Sequence, residues 1–202
     1  MKKMIIYITG LILIATGNIS AEPILSDVLN NIYGVGNWEP YSAPDELWKY
    51  LLYGEYKAEA EAQAVFSAVY QDFGFFPGEV GGSFQSLFSV TTSGYLGGSP
   101  STTLSEMQTG NIFRFADYPT GFPLWSSRVS DNSDGMDHMQ TYSITAGPSA
   151  GNYVIAWEDM PKESSDVDYQ DLIVEVTGVY PVPEPATILL LGLGVLTLIK
   201  RR

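Results

Sequence analysis

Two acidic segments hold the side chains best suited to chemistry. The first is Asp131-Asn132-Ser133-Asp134-Gly135-Met136-Asp137-His138. The second is Trp157-Glu158-Asp159-Met160-Pro161-Lys162-Glu163-Ser164-Ser165-Asp166-Val167-Asp168-Tyr169-Gln170-Asp171. Each borders an apolar run that reads as a β-strand. If the second segment is a hairpin loop, Glu158, Asp159, Asp166, Asp168 and Asp171 converge near one end of the fold. Carboxylates crowded into a small volume repel unless a cation neutralises them. Oxygen-only donors in Asp/Asn-rich loops suit Ca²⁺, which takes about six to eight oxygens, whereas Mg²⁺ prefers fewer protein ligands. Asp134 and Asp137 of the first segment complete the candidate metal set. The competing reading is that these acids are exposed turn residues, for which Asp and Asn need no metal.

The spacing Asp166-x-Asp168-x-x-Asp171 resembles the start of an EF-hand loop only superficially, because the helices, the glycine and the terminal Glu of that motif are missing. His138 is the single histidine, so a multi-histidine metal site is excluded. It offers a ligand or a general base, but such a residue more often pins a turn by bonding to a carboxylate or carbonyl. The absence of cysteine excludes thiol catalysis, zinc–thiolate sites and iron–sulfur clusters. No Gly-x-Ser-x-Gly nucleophile motif occurs. Acid pairs are plentiful, so a carboxylate-dependent hydrolase such as a glycosidase is the alternative to a non-catalytic module.

The elements that must position these acids are mostly strands. Tyr56 to Tyr70 alternates strictly, with Tyr56, Ala58, Ala60, Ala62, Ala64, Phe66, Ala68 and Tyr70 on one face. That period predicts a half-buried strand, although its alanine and glutamate content favours helix. Further strands are expected over Phe84 to Val90, Asn111 to Phe115, His138 to Ile144, Asn152 to Trp157 and Leu172 to Thr177. Gly/Pro clusters separate them. Pro23 to Tyr33 reads as a short amphipathic helix that Ser26 or Asp27 can cap. Short strands with such turns predict a mainly β domain, a β-sandwich or jelly roll, with one short N-terminal helix. Trp38, Trp48 and Trp125 are candidates for stacking on sugars, with core packing as the simpler role.

The two ends read as addresses. Lys2 and Lys3, the apolar run Met4 to Ala15 and the small Ala21 have the layout of a secretory signal peptide over residues 1–21. At the other end Pro183-Glu184-Pro185 precedes an apolar stretch from Ala186 to Ile199, expected to form a transmembrane helix, and then Lys200-Arg201-Arg202. This order resembles the PEP-CTERM sorting signal. The resemblance, over residues 182–202, implies processing by an exosortase, export through the Sec machinery, transient membrane anchorage and delivery to the cell surface or exterior. Residues 22–181 remain as one domain. With the end lysines and arginines set aside, five bases face 23 acids between Glu22 and Glu184, a formal −18. Such a surface repels nucleic acid and favours divalent cations, basic partners or neutral glycans.

A second resemblance rests on Trp157-Glu158-Asp159 followed by Asp166-Val167-Asp168-Tyr169-Gln170-Asp171-Leu172-Ile173-Val174-Glu175-Val176. Asp134 to Met139 and Phe73-Gly74-Phe75-Phe76 add to it. Together they are similar to a domain of unknown function found in bacterial surface proteins, over Trp48 to Val176 and most clearly in the last third. Gln170 stands where that pattern has Asn. The resemblance implies a β-rich extracellular module with a calcium site, and it brings no established catalytic activity with it. The combined expectation is an exported surface or matrix protein, with exopolysaccharide as one possible partner.

Overall fold

The computed structural model describes residues 22–50, 58–103 and 112–182. The expected signal peptide, the expected C-terminal helix, and Pro183, Glu184, Pro185, Lys200, Arg201 and Arg202 lie outside the described residues. Among the described residues no helix is long and apolar enough to cross a membrane.

In chain order the elements are α1 (Leu25–Tyr33), β1 (Trp38–Pro40), β2 (Leu47–Tyr50), β3 (Glu59–Val65), β4 (Gln71–Pro77), β5 (Gln85–Val90) and β6 (Gly94–Tyr95). They continue with β7 (Ser101–Thr103), β8 (Phe113–Pro119), β9 (Trp125–Ser126), β10 (Met139–Ile144), β11 (Tyr153–Trp157), β12 (Leu172–Thr177) and β13 (Val179–Val182). One sheet runs β1-β10-β11-β12-β3-β6 with β7 also on β3, and the other runs β13-β2-β8-β4-β5 with β9 on β8. The described residues are therefore mainly β with one short α-helix, as the sequence pattern predicts for them.

Strand parity decides what each face packs against. On β12, Leu172, Val174 and Val176 face the core between the sheets. They meet Trp48, Phe73, Phe115 and Trp125 of the opposite sheet there. The alternate residue Ile173 faces outward, into a second core with Val154, Ala156 and Val28 and Leu29 of α1. The helix is thus a lid on the outer face of the first sheet. Burying each such aliphatic side chain is worth roughly 1.5–3 kcal/mol.

Of the stretch from Tyr56 to Tyr70, Glu59–Val65 form a strand, β3, and not a helix; Tyr56 and Lys57 lie outside the described residues, and Phe66 to Tyr70 lie beyond the end of the strand. Its alternation breaks inside the element. Ala62 pairs with Val174 and Ala64 with Ile173, so Gln63 is the extra residue of a bulge. Ala60 and Ala62 consequently face the inter-sheet core, while Ala64 faces the helix. The helix start also differs from expectation. Neither Ser26 nor Asp27 caps α1; Ile24 occupies the cap position without a side-chain bond, and its carbonyl accepts from Asp27 and Val28. The chain enters the helix earlier than the polar residues suggest, because Leu25 is needed on the buried face.

Trp48 and Trp125 are fully buried in the core, which removes them as exposed sugar platforms. Trp38 is half-buried, edge-on to Tyr142, and donates to Asn30 Oδ1 at 3.0 Å. Gly74 sits at a bulge in β4, where a Cβ would lie 2.1 Å from the Gln85 carbonyl oxygen. Gly74→Ala should therefore destabilise the protein by about 1–3 kcal/mol, the range for overpacking. Urea unfolding monitored by tryptophan fluorescence measures this, and an unchanged midpoint would refute it.

Candidate metal centre

Met139 pairs with Trp157 and Trp157 pairs with Leu172, so β10 starts, β11 ends and β12 starts at one end of the sandwich. Both acidic segments flank those positions, which is why residues far apart in the chain meet. Glu158 continues the ladder for one step, its N–H donating to the His138 carbonyl at 3.0 Å.

His138 is completely buried and stacks flat on Trp125, with ring centroids 3.7 Å apart. Its Nδ1 lies 2.8 Å from the Glu158 carbonyl oxygen and its Nε2 lies 3.0 Å from Asp134 Oδ2. A carbonyl can only accept, so Nδ1 carries its hydrogen. His138 is thus held between two acceptors and pins the turn. Asp134 Oδ2 also accepts from the Lys162 N–H at 3.0 Å, and Oδ1 accepts from Met136 N–H at 3.0 Å. Burial pushes the Asp134 carboxyl up, but these two N–H groups and His138 more than offset it, and the net shift is downward. Asp134 is a structural clasp between the two acidic segments.

The carboxylates themselves form two triads. Glu158, Asp159 and Asp171 each present an oxygen within 4.8 Å of the others, and Glu158, Asp166 and Asp168 do the same. Glu158 belongs to both and is 0 % exposed. Its Oε1 accepts from Met160 N–H at 3.2 Å, while Oε2 is buried without a hydrogen-bond partner. Burial raises the Glu158 carboxyl, Met160 N–H and the Ser165 hydroxyl lower it, and Asp166 and Asp168 raise it again; the net direction is up. Asp159, 3 % exposed, is the most heavily bonded. Its Oδ2 accepts from Ser67 Oγ and from Gln71 Nε2 at 2.7 Å. Its carbonyl accepts from Trp125 Nε1 at 2.8 Å, and its N–H donates to Asp171 Oδ2 at 2.9 Å.

The opposite sheet supplies an acid that the motif reading missed. Asp117 on β8 is 0 % exposed, and neither of its oxygens has a hydrogen-bond partner. Burial pushes its carboxyl well above the usual range, and the charges of Asp159, Asp171 and Asp72 push it further. The clue lay in parity: Asp117 follows Phe113 and Phe115 at strand spacing, so a charge stood at a core position. Ser67 and Gln71 are further site residues without a motif signal, whereas Gln170 lies inside the second acidic segment. Gln170 Nε2 donates to Asp168 Oδ2 at 2.6 Å. The glutamine thus supplies an amide to the loop.

Five of the seven sequence candidates, Glu158, Asp159, Asp166, Asp168 and Asp171, come together. Asp134 is engaged with His138, as described. Asp137 belongs to neither triad; its Oδ1 accepts from Met139 N–H at 3.1 Å. Asp134 and Asp137 belong to neither triad, and each accepts hydrogen bonds within the turn before β10. Among the described residues no ion pair reaches the triads; Arg114 pairs with Asp131, and Arg128 with Glu46. Buried charges without a base call for a proton or a metal.

The loop carrying Asp166 and Asp168 is strained. Val167 and Tyr169 have φ of 60° and 56°. For a β-branched residue this left-handed conformation costs about 1–2 kcal/mol. Tyr169 is held by burial and by its hydroxyl donating to the Asp137 carbonyl at 2.7 Å. The Val167 side chain is exposed, and only its N–H is held, donating to Ser165 Oγ at 3.0 Å.

An all-antiparallel sandwich with oxygen donors gathered at one end is the class of domain that these features define. Residues 97–179 match the family described as Domain of unknown function (DUF4114), and residues 181–202 match the PEP-CTERM protein-sorting motif. The chain thus carries both, and the motif marks it as an exported protein processed at the membrane by exosortase. The first match spans both acidic segments, whereas Phe73 to Phe76 lies outside it. No curated protein matches the chain.

Two outcomes follow. Val167→Gly should stabilise the protein by up to about 1 kcal/mol, because glycine accepts positive φ without strain; a lowered urea midpoint would contradict it. Asp171 has its carboxyl pushed up to about 8 by burial, then by the charge of Asp159. Its unfolded value is ~3.9. The folded state therefore holds the extra proton between those limits, and the associated stability is lost as pH rises through them. In EDTA, Tm should be higher at pH 5 than at pH 8, and Asp171→Asn should flatten that slope. A Tm that rises with pH across this window would refute it.

Proposed function

We propose that the chain is a calcium-binding, non-catalytic module of the cell surface or extracellular matrix, taken out through the Sec pathway by its N-terminal signal peptide. The observation that carries this reading is the pair of carboxylate triads, buried at Glu158 and Asp159 and, among the described residues, without an ion-pairing base. Oxygen-only, multi-carboxylate chemistry selects a hard divalent cation, and the number of available oxygens favours Ca²⁺ over Mg²⁺. Burial also argues for a structural ion over a reaction centre. A glycosidase needs two carboxyls facing an open substrate groove, and Glu158 and Asp159 are sealed beneath the loop. The acidic exterior suits a neutral exopolysaccharide or a basic partner in the matrix.

Thermal unfolding of the purified chain tests this. Millimolar Ca²⁺ added after EDTA should raise Tm by about 5–10 °C, the effect of roughly 2.7 kcal/mol of linkage at a hundredfold excess over Kd in a domain of this size. Glu158→Gln, which strikes both triads, should abolish most of the shift. No shift in the unsubstituted protein would overturn the calcium reading.

A further inference from the structure

We propose that this centre takes two calcium ions that share Glu158: an inner ion held by Glu158, Asp159 and Asp171 with Asp117 reaching it from the opposite sheet, and an outer ion held by Glu158, Asp166 and Asp168. This rests on the calcium reading above and extends it to stoichiometry and to a ligand on the second sheet.

Glu158 is the one residue common to both triads. A carboxylate bridges two cations when its two oxygens face different sites. Here Oε1 meets the Met160 N–H on the loop side and Oε2 is buried with no partner. An orphaned carboxylate oxygen at the meeting point of two triads is costly unless something positive occupies it.

Asp117 gives the second, independent indication. It is fully buried, and both of its oxygens lack partners. On β8 it pairs with Trp125 of β9, whose indole N–H donates to the Asp159 carbonyl, so this part of β8 approaches the inner triad's side. Each triad also has a buried glutamine beside it whose carbonyl oxygen is unpartnered. Gln71 bonds Asp159 and Gln170 bonds Asp168 through their amide nitrogens. Calcium accepts such amide oxygens as ligands.

Charge separates one ion from two. Asp117, Glu158, Asp159, Asp166, Asp168 and Asp171 total a formal −6 when ionised. One Ca²⁺ leaves most of that charge uncompensated in a largely buried volume, and two reduce it to a level that the surrounding N–H groups can accommodate.

Calcium titration by isothermal calorimetry, on the full chain in detergent after chelation, tests the proposal. Two equivalents per chain are expected. Asp166→Asn with Asp168→Asn should leave one equivalent, and Asp117→Asn should weaken the other at least about tenfold. Glu158→Gln should weaken both. Far-UV circular dichroism in EDTA confirms that each variant is folded; the exposed Asp166 and the isosteric Asp117→Asn keep this control informative. A single equivalent in the unsubstituted chain, or the same equivalent lost in the Asp117 and Asp166/Asp168 variants, overturns the two-ion centre while leaving calcium binding intact. No binding at all in the unsubstituted chain overturns the calcium reading itself.

Discussion

Asp159 is the constraint on which this end of the sandwich depends. Its carboxylate takes hydrogen bonds from Ser67 and Gln71, its carbonyl takes one from Trp125, and its N–H gives one to Asp171. Gln71 and Trp125 belong to one sheet, and Asp159 and Asp171 flank strands of the other. The residue therefore fastens the two sheets by directional bonds where hydrophobic packing alone would leave the opening angle free. Hydrogen bonds to a charged acceptor are stronger than neutral ones, and within a buried network they set a unique geometry. The same fastening draws Glu158 and Asp171 into contact range and brings Asp117 to the same end. The crowding of acids follows from the way the sheets are closed.

That crowding sits badly with ordinary electrostatics. Burial and the neighbouring acids push Asp117, Glu158, Asp168 and Asp171 all upward. The nearby bases are directed elsewhere: Arg114 to Asp131 and to the Gly78 and Gly81 carbonyls, Arg128 to Glu46 and the Glu79 carbonyl. His138 is spent on Asp134 and the Glu158 carbonyl. Val167 and Tyr169 add backbone strain between the acids. Strain and uncompensated charge in the same loop, residues 158–171, mark a place that is not optimised for stability alone. On the calcium reading, a bound cation would relieve the charge and hold the carboxylates of the strained loop together.

Much of this was legible because residues close in sequence were close in space. Glu158 to Asp171 is a single loop between two plainly apolar strands, and its acids advertise themselves. The strand at β3 was legible from alternation, yet the bulge at Gln63 was not, since it turns Ala64 to the helix side without any change in residue type. Asp134 and Asp137 look like ligands by composition; only the turn geometry shows that one clasps His138 and the other caps the start of β10. Asp117 was the hardest to see. It lies about 40 residues from the loop, alone among aromatic neighbours, and its importance depends on a sheet pairing that no local pattern encodes. The tryptophans were misleading in the other direction, because large aromatic residues serve cores and binding faces equally well.

The family match begins at residue 97, yet the centre draws on Ser67 and Gln71, and β3 and β4 lie wholly before that point. Residues 97–179 alone would lack the inner strand β3 of one sheet and the central neighbour β4 of the other. Both β12 and β8 would then expose a ladder edge, and the core would lose Phe73 and Phe75. The matched segment is thus the part of the sandwich that carries the acids, and the preceding strands are what close it. An exported domain without cysteines has no disulfide to hold such a closure. On the calcium reading, ions at the junction of the two sheets would do that work, and folding of the whole sandwich would be coupled to the ionic composition outside the cell.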